Sequence, residues 1–319
     1  MKIRILSAYC VQLGHEVSID QARLEYLSED HPSRYHFYCS SPDCFANKVR
    51  VIGVNYHYSA EESKKYKIPH FRKQDEHLPN CAWVIDTLKE NQQGRLPNET
   101  EEEAKLRQIR QKLSDLIDVF DPTEDSDDIK NEDSFISSTP RFPEQQNTIL
   151  NNNTKNESSK SGYRRTNQLS RLIETWREAK NKLPKKEFEQ LKLNVVGIGK
   201  LKLCNYFKRF NYAWNTEHFG VMYGGVKPDF KRYGLGFRMT FYDKINDCDV
   251  ILYISKEKME KYRYRRYFDM ELSRDDIRYI TVYFIPDKIE LYENGKGYKS
   301  YQIEINQLKN FFLIVEPKT

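Results

Sequence analysis

Residues 35–44 read YHFYCSSPDC, and residues 70–81 read HFRKQDEHLPNC. Each stretch contains a closely spaced pair of side chains that bind metal ions in proteins: Cys39 and Cys44 in the first, His77 and Cys81 in the second. Structural zinc is usually held by four Cys or His ligands, which the fold collects from two such local pairs. We therefore predict that residues 1–95 form a zinc-binding module of helices and strands, with these four residues as the ligands of one structural Zn²⁺ ion.

His70 is the alternative to His77 as the histidine ligand. We favour His77 because its close spacing to Cys81 lets the two side chains form a local chelate. His70 would then hydrogen-bond a ligand or end a strand. The competing interpretation of the whole pattern is that these Cys and His residues are unrelated members of polar loops.

The strings YCSSPDC (38–44), IPHFRK (68–73) and EHLPNC (76–81) resemble the N-terminal zinc-ribbon-like module of the competence protein CoiA family and related bacterial proteins. In that module a Cys pair precedes an HF motif and a final Cys. The resemblance covers residues 35–83, and it departs from the family at Lys73, where the family commonly has a second His. The family couples this module to a nuclease domain and acts on incoming DNA. The resemblance therefore implies a bacterial protein of foreign-DNA handling, defence or a mobile element.

The remaining composition bears on where the protein works. No apolar run approaches the roughly 18 residues that span a bilayer, so we expect no membrane partner. Polar residues interrupt the short apolar stretch at the N-terminus, which does not fit a signal peptide. We expect a cytoplasmic protein, in which clustered cysteines bind metal more often than they form disulfides. The scattered cysteines are expected to be small buried apolar residues: Cys10, Cys204 and Cys248.

Charge is distributed unevenly along the chain. The formal net charge of +5 divides into +1 for residues 1–95, −7 for residues 96–162 and +11 for residues 163–319. A basic domain of this kind is typical of proteins with a polyanionic partner. The C-terminal half is therefore the part in which we look for a nucleic-acid interface.

Residues 121–162 are predicted to be a flexible acidic and polar linker, because their few apolar residues cannot offset the entropy of ordering the chain.

Residues 96–120 predict an amphipathic helix from Asn98 onward. Its apolar residues recur three and four apart: Leu106, Ile109, Leu113, Leu116 and Phe120. This stripe packs against the zinc module or binds a partner protein or a second copy as a coiled coil. We favour the first because fewer than three heptads are present.

Residues 163–319 predict a basic, β-rich domain with a leading helix. The helix contains Leu169, Leu172, Ile173, Trp176, Ala179 and Leu183, and it ends before Pro184. Six short segments rich in aromatic and branched residues predict strands of a mostly antiparallel sheet or barrel: 219–225, 236–243, 249–255, 278–285, 300–305 and 311–316. The fold class expected for the whole chain is α+β.

Residues 256–268 read KEKMEKYRYRRYF and interleave cations with aromatic rings. The residues concerned are Lys258, Lys261, Tyr262, Arg263, Tyr264, Arg265, Arg266 and Tyr267. In an extended chain such cations contact phosphates while the rings stack on unpaired bases. The alternative is that the tyrosines pack in the core. A second basic cluster comprises Lys200, Lys202, Lys208 and Arg209.

We find no Ser-His-acid set, paired-carboxylate motif or nucleotide fingerprint, so a binding protein fits better than an enzyme. The leading hypothesis is a zinc-containing protein that binds nucleic acid, such as single-stranded DNA or RNA. A protein adaptor is the alternative. A metal-dependent nuclease is a further one, although residues 286–290, PDKIE, lack the order of acids and Lys that a nuclease core requires and read as a turn.

Overall fold

The computed structural model describes residues 3–30, 32–58, 69–91, 99–113, 116–123, 165–218 and 220–318. The predicted linker lies outside these ranges from residue 124 onward, and Asn98 also lies outside them. The described residues form two hydrophobic cores, one in the N-terminal part and one that joins residues 109–120 to the C-terminal part. Within the described residues, no helix has the length and apolar character needed to cross a bilayer.

The described residues of the N-terminal part form a five-stranded sheet with three helices. Its strands lie in the order β2-β1-β3-β4-β5, and each neighbouring pair is antiparallel. The strands are β1 (Ser7–Cys10), β2 (His15–Ser18), β3 (Phe37–Cys39), β4 (Arg50–Val54) and β5 (His70–Lys73). The helices are α1 (Ile19–Ser28), α2 (Pro42–Ala46) and α3 (Ala82–Asn91). This arrangement agrees with the mixed helix and strand content expected for residues 1–95.

The segment 96–120 forms a shorter helix than the sequence predicts. Helix α4 spans Glu101–Gln111, and it is capped by Thr100, whose side chain accepts from the backbone N–H of Glu103 while the Glu103 carboxylate accepts from that of Thr100. The prediction was wrong at the far end, where Val119–Phe120 is strand β6. Phe120 pairs in parallel with two C-terminal strands, and this tertiary pairing overrides the helical spacing of the apolar residues.

Four of the five predicted stripe residues are buried in the C-terminal core, together with Ile117: Ile109, Leu113, Leu116 and Phe120, each no more than 5% exposed. Leu106, the fifth, is half-buried and belongs to neither core. The stripe therefore has its packing partner within the chain, and that partner is the C-terminal core rather than the core of the N-terminal module. The four buried side chains are not accessible to a coiled-coil partner.

The C-terminal part begins with β7 (Arg165–Thr166) and helix α5 (Leu169–Lys182), which confirms the predicted leading helix. The elements that follow are α6 (Lys185–Phe188), β8 (Lys192–Val195), β9 (Gly199–Lys202), α7 (Leu203–Tyr206), β10 (Phe207–Arg209), α8 (Phe210–Ala213), β11 (Val221–Val226), β12 (Lys231–Tyr233), β13 (Gly236–Thr240), β14 (Asp249–Ile254), α9 (Lys256–Lys261), α10 (Arg265–Leu272), β15 (Ile277–Phe284), β16 (Lys288–Glu293), β17 (Lys299–Glu304), a 3-10 turn (Leu308–Asn310) and β18 (Phe311–Pro317). The six predicted strand segments are confirmed as β11, β13, β14, β15, β17 and β18.

Three open sheets contain these strands, so the barrel alternative is wrong for the described residues. The strand orders are β10-β11-β15-β18, β12-β13-β14-β17-β16 and β7-β6-β8-β9. Most neighbouring pairs are antiparallel, as predicted, while β10/β11, β14/β17, β6/β7 and β6/β8 are parallel. The first two sheets pack face to face, with ring contacts between Phe237 and Phe311 at 5.8 Å and between Phe241 and Phe284 at 5.9 Å.

Helices cover the outer face of the sheet β10-β11-β15-β18. Trp176 of α5 stacks on Phe207 with ring centroids 4.7 Å apart, and Tyr267 of α10 stacks on Phe312 at 5.7 Å. Helix α1 of the N-terminal module lies against α10, and its Leu24 is part of the C-terminal core. The N-terminal module is therefore docked on the C-terminal part through α1.

Candidate functional site

Four ligand side chains converge on one point of the N-terminal module: Cys39, Cys44, His77 and Cys81. Their sulfur and nitrogen donor atoms all lie within 4.8 Å of one another. The Sγ atoms of Cys39 and Cys81 are 3.8 Å apart, and His77 Nδ1 lies 3.3 Å from Cys81 Sγ and 3.8 Å from Cys44 Sγ. All three cysteines are buried and His77 is half-buried. The structure thus brings together the four residues that the sequence pairs predict.

Local backbone structure positions the first pair. Cys39 ends β3, and its N–H donates to the carbonyl of Val49 at 2.8 Å, while the N–H of Val49 donates to the carbonyl of Cys44 at 2.9 Å. Between the cysteines, Pro42 lies in the first turn of α2. Backbone N–H groups of a first turn have no acceptor within the helix, so a proline is tolerated there. The CSSPDC loop is therefore closed by strand pairing on one side and by a short helix on the other.

The second pair is held against the first by hydrogen bonds between the two loops. The N–H of Leu78 donates to Cys44 Sγ at 3.4 Å, and the N–H of Ala82 donates to Ser41 Oγ at 3.2 Å. The Asn80 side chain donates to the carboxylate of Asp43. These hydrogen bonds hold the HLPNC loop against the CSSPDC loop without the help of a metal ion.

Burial sets the protonation of the donors. Burial raises the pKa of the Cys39 thiol and of the Cys44 thiol. Burial and, to a smaller degree, the charge of Lys73 lower the pKa of His77, which keeps its imidazole in the neutral form that ligates metals. Thiolates in such a pocket need a nearby positive charge, which a metal cation at this point would supply.

The donor geometry fits a tetrahedral metal ion. Ligands at about 2.3 Å for sulfur and about 2.0 Å for nitrogen give sulfur–sulfur edges of about 3.8 Å and sulfur–nitrogen edges of about 3.5 Å. Three of the six donor separations, at 3.8, 3.8 and 3.3 Å, are close to these edges, and the other three are no longer than 4.8 Å. All six cysteines are free thiols, and among the described residues this is the group of side chains that can hold a metal ion.

The alternative ligand and the scattered cysteines lie elsewhere. His70 begins β5, directly opposite Val54, and is not a member of the four-residue group. Cys10 is buried, as expected, whereas Cys204 and Cys248 are only half-buried.

No protein-family model, curated protein or solved structure matches this chain. The description of the centre therefore rests on its own geometry.

The basic aromatic segment does not form an exposed stacking platform. It folds as α9 and α10 with a short connection between them, and its tyrosines point into the protein: Tyr262 is 9% exposed, Tyr264 is 2% and Tyr267 is 1%. Tyr267 packs flat on Phe312. The expectation that these rings stack on bases is therefore corrected, and the physical reason is that a helical turn of aromatic residues fills the core beneath α1.

The cations of the same segment serve mainly in docking. Arg263 bonds to Glu25 of α1, and Arg266 bonds to Asp30 just beyond it. Lys258 Nζ donates to the carbonyl of Ile305 at 2.9 Å, and Arg265 donates to that of Glu260 at 2.9 Å. Lys261 remains exposed at the end of α9.

The second basic cluster is exposed and is divided between two places. Lys200 and Lys202 project from β9, while Lys208 and Arg209 lie on β10. Sequence reasoning missed Lys192, which lies directly opposite Lys202 in the pairing of β8 with β9. The alternation KLNV followed by a turn and GKLK was the signal for this hairpin.

Residues 286–290 have a structural role. The N–H of Asp287 donates to the carbonyl of Glu304 at 3.0 Å, and its carboxylate accepts from the N–H of Asn306 at 2.6 Å. Lys288 forms an ion pair with Glu290 on the exposed side of β16. Asp287 thus fastens the start of β16 to the end of β17. Asp287 and Glu290 belong to no group of potential metal ligands among the residues that the structure describes.

Proposed function

We propose that the chain is a nucleic-acid-binding protein whose N-terminal module is held together by a structural Zn²⁺ ion. The support for the metal is the buried group of three thiols and one neutral imidazole, which is a ligand set typical of structural zinc. Four protein ligands leave no open coordination position for a substrate. Zn²⁺ would supply folding stability to the module and no catalytic chemistry.

The observation that carries the nucleic-acid proposal is a row of lysines on one face of the β8–β9 hairpin. Lys192 and Lys202 are directly opposite each other, and Lys200 lies on the same face, opposite Asn194. All three side chains are exposed, and none is within ion-pair distance of an acid that the structure describes, although Lys200 is close enough to Glu103 to help lower the pKa of that carboxyl. Like charges directly opposite each other on a sheet destabilise it. An anionic partner compensates for this repulsion.

The length and charge of the C-terminal part agree with this interpretation. Residues 163–319 carry a net charge of +11, and Lys208 and Arg209 follow the hairpin after one short helix. Lysine and arginine contacts to phosphates release counterions, so binding of this kind weakens steeply with salt. A foreign-DNA, defence or mobile-element setting remains part of the proposal through the resemblance of residues 35–83 alone.

The test is a salt titration of the full chain against labelled single-stranded DNA, duplex DNA and RNA. We expect binding whose logarithm falls linearly with the logarithm of salt concentration. In the variant with Lys192, Lys200 and Lys202 all changed to Gln, the slope should decrease by about two to three, close to one for each lost phosphate contact. Absence of binding to all three probes at low salt would rule out the proposal and favour a protein adaptor.

A further inference from the structure

A strip of aromatic rings runs across the outer face of the sheet β10-β11-β15-β18, beside α5. Tyr223 stacks on Tyr283 with centroids 5.7 Å apart and an interplanar angle of 26°. Trp176 extends the strip at one end, 5.3 Å from Tyr223. At the other end Tyr279 and Tyr242 are parallel within 7°, with centroids 5.9 Å apart. Exposure increases toward this end, where Tyr242 is 48% exposed.

Gly225 makes room for the exposed end of the strip. A Cβ atom at this position would lie 1.8 Å from the hydroxyl oxygen of Tyr279 and 2.5 Å from the ring carbon that bears it. The bare backbone of β11 thus lets the Tyr279 side chain lie against the strand. The backbone N–H of Tyr242 donates to the carbonyl of Gly225 at 2.9 Å. One glycine therefore sets the positions of both tyrosines, although Tyr242 contributes little buried surface.

Cations lie along both sides of the strip. Lys180 Nζ on α5 is 4.7 Å from the Trp176 ring centroid and 6.0 Å from that of Tyr223. Arg209 is directly opposite Tyr223 in the β10–β11 pairing. Burial raises the pKa of both Tyr223 and Tyr279, and the charge of Arg209 opposes that rise at each ring, so Arg209 lies near both.

Two carboxylates also lie near the strip. Asp243 forms an ion pair with Arg209 at 3.2 Å, and Glu316 is close enough to act on Tyr279. Arg177 of α5 is similarly close to Tyr283. The Arg209 side chain remains 45% exposed beside its acid partner, so its remaining N–H donors face solvent. Positive groups outnumber negative ones along the strip.

We propose that the exposed end of this strip binds an unpaired base of a single-stranded nucleic acid, with the base stacked on Tyr242 and the adjoining phosphates on Arg209 and Lys180. The inference rests on the proposed nucleic-acid function and specifies its substrate. Ring faces are accessible only in unpaired bases, whereas a duplex presents groove edges and phosphates. On the outer face of the other sheet, Tyr233 and Tyr253 meet edge to face at 72° and provide no parallel pair.

The experiment compares variants of the full chain by fluorescence anisotropy with a labelled oligothymidylate and with a duplex of equal length. Tyr242→Ala should weaken single-strand binding about tenfold, because one stacked base is lost. Tyr242→Phe should bind as the wild type does. Arg209→Gln should reduce the salt slope by about one. The matched control is Tyr253→Ala, which removes a tyrosine of similar exposure, 54%, and should leave binding unchanged.

A second readout needs no variant. Photocrosslinking of the wild-type chain to an oligonucleotide that carries 5-iodouracil should label the peptide with Tyr242 or that with Tyr279. If the wild type binds but Tyr242→Ala binds equally well and crosslinks fall elsewhere, the proposal that Tyr242 binds a base is wrong while the proposed function stands. If Tyr253→Ala loses binding instead, the base binds on the other sheet. A wild-type chain that binds no nucleic acid would overturn both proposals.

Discussion

The guanidinium of Arg23 in α1 donates to the carboxylate of Glu174 in α5 at 2.7 Å, and this ion pair joins the N-terminal module to the C-terminal part. Only 5% of the Arg23 side chain is exposed. Asp20 lies 3.9 Å from Arg23 and 3.9 Å from Arg171. Two arginines and two acids thus meet in a buried cluster. Since buried charges are costly unless they are paired, the cluster admits one docked position of α1.

We predict that Arg23→Met destabilises the protein by about 3–5 kcal/mol, because the substitution leaves the carboxylate of Glu174, whose side chain is 28% exposed, without its main partner. Chemical denaturation monitored by tryptophan fluorescence measures the change. Lys105→Ala is the control: it removes an exposed ion pair with Glu101 and should change the free energy of unfolding by less than about 0.5 kcal/mol. A loss equal to the control's would mean that α1 is not docked through this cluster.

The acid pair in the cluster predicts a pH dependence. Burial, and after it the charge of Glu174, raises the pKa of Asp20 well above its ordinary value. Burial acts to raise the pKa of Glu174 as well, but Arg23 lowers it overall. Asp20 therefore stabilises the fold in its protonated form, and this contribution is lost as the pH rises from the ordinary aspartate pKa through the raised one.

Asp20→Asn should remove this dependence, since an amide can donate to Glu174 as a protonated carboxyl does. We expect the variant to be at least as stable as the wild type near neutral pH and its advantage to shrink as the pH falls toward about 4. Urea unfolding at several pH values tests this expectation. Parallel stability curves for the two proteins would show that Asp20 does not titrate as described.

The fold of residues 256–268 could not be predicted from local sequence. The alternation of cations and tyrosines in KEKMEKYRYRRYF fits both an exposed platform and two short helices. Nothing in the local sequence indicates whether Tyr262 and Tyr264 are buried. The partners that decide between these two folds, Glu25 and Asp30, lie more than two hundred residues earlier in the chain. Non-local ion pairs of this kind cannot be read from local spacing.

The convergence of the four candidate metal ligands could be predicted because its signal is local. Each pair lies within one short loop, and the chemistry of Cys and His restricts what such pairs do. The strands of the C-terminal part were equally accessible, since branched and aromatic residues recur in short segments. Helix α4 was predicted too long because Phe120 continues the helical spacing by coincidence, while its backbone pairs with Thr166 and Val195.

The metal centre predicts a difference between its two candidate histidines. His77→Ala should release the metal ion and lower the thermal stability of the N-terminal module, because one of four ligands is removed. His70→Ala should retain one metal ion per chain, since its side chain lies outside the group. Metal content by mass spectrometry of the native protein separates these outcomes. The reverse result would make His70 the ligand.

Cysteine variants test the same centre independently. Cys44→Ser should lose the metal ion, and addition of a chelator to the wild type should reproduce its lower melting temperature. Cys10→Ser is the matched control, because Cys10 is equally buried in the same core but belongs to no ligand group. A Cys44→Ser protein with full metal content and wild-type stability would contradict the four-ligand description.

The lysine row on the β8–β9 hairpin predicts opposite effects on stability and on binding. Lys202→Glu places an acid directly opposite Lys192, so a repulsive cross-strand pair becomes an attractive one. The free energy of unfolding should rise by about 0.2–1 kcal/mol. Nucleic-acid affinity should fall several-fold, and the salt slope should decrease by about one or more, because a phosphate contact is lost.

The matched control is Lys299→Glu on the β16–β17 pair. Lys299 lies directly opposite Glu293 with their charged groups 3.6 Å apart, so this substitution creates repulsion where attraction exists. It should lower the free energy of unfolding by about 0.2–1 kcal/mol and leave nucleic-acid binding unchanged. The two variants carry the same change in net charge, and a general electrostatic effect would weaken binding equally in both. If the hairpin lysines contact phosphates, Lys202→Glu should lose more affinity than Lys299→Glu although it is the more stable of the two variants.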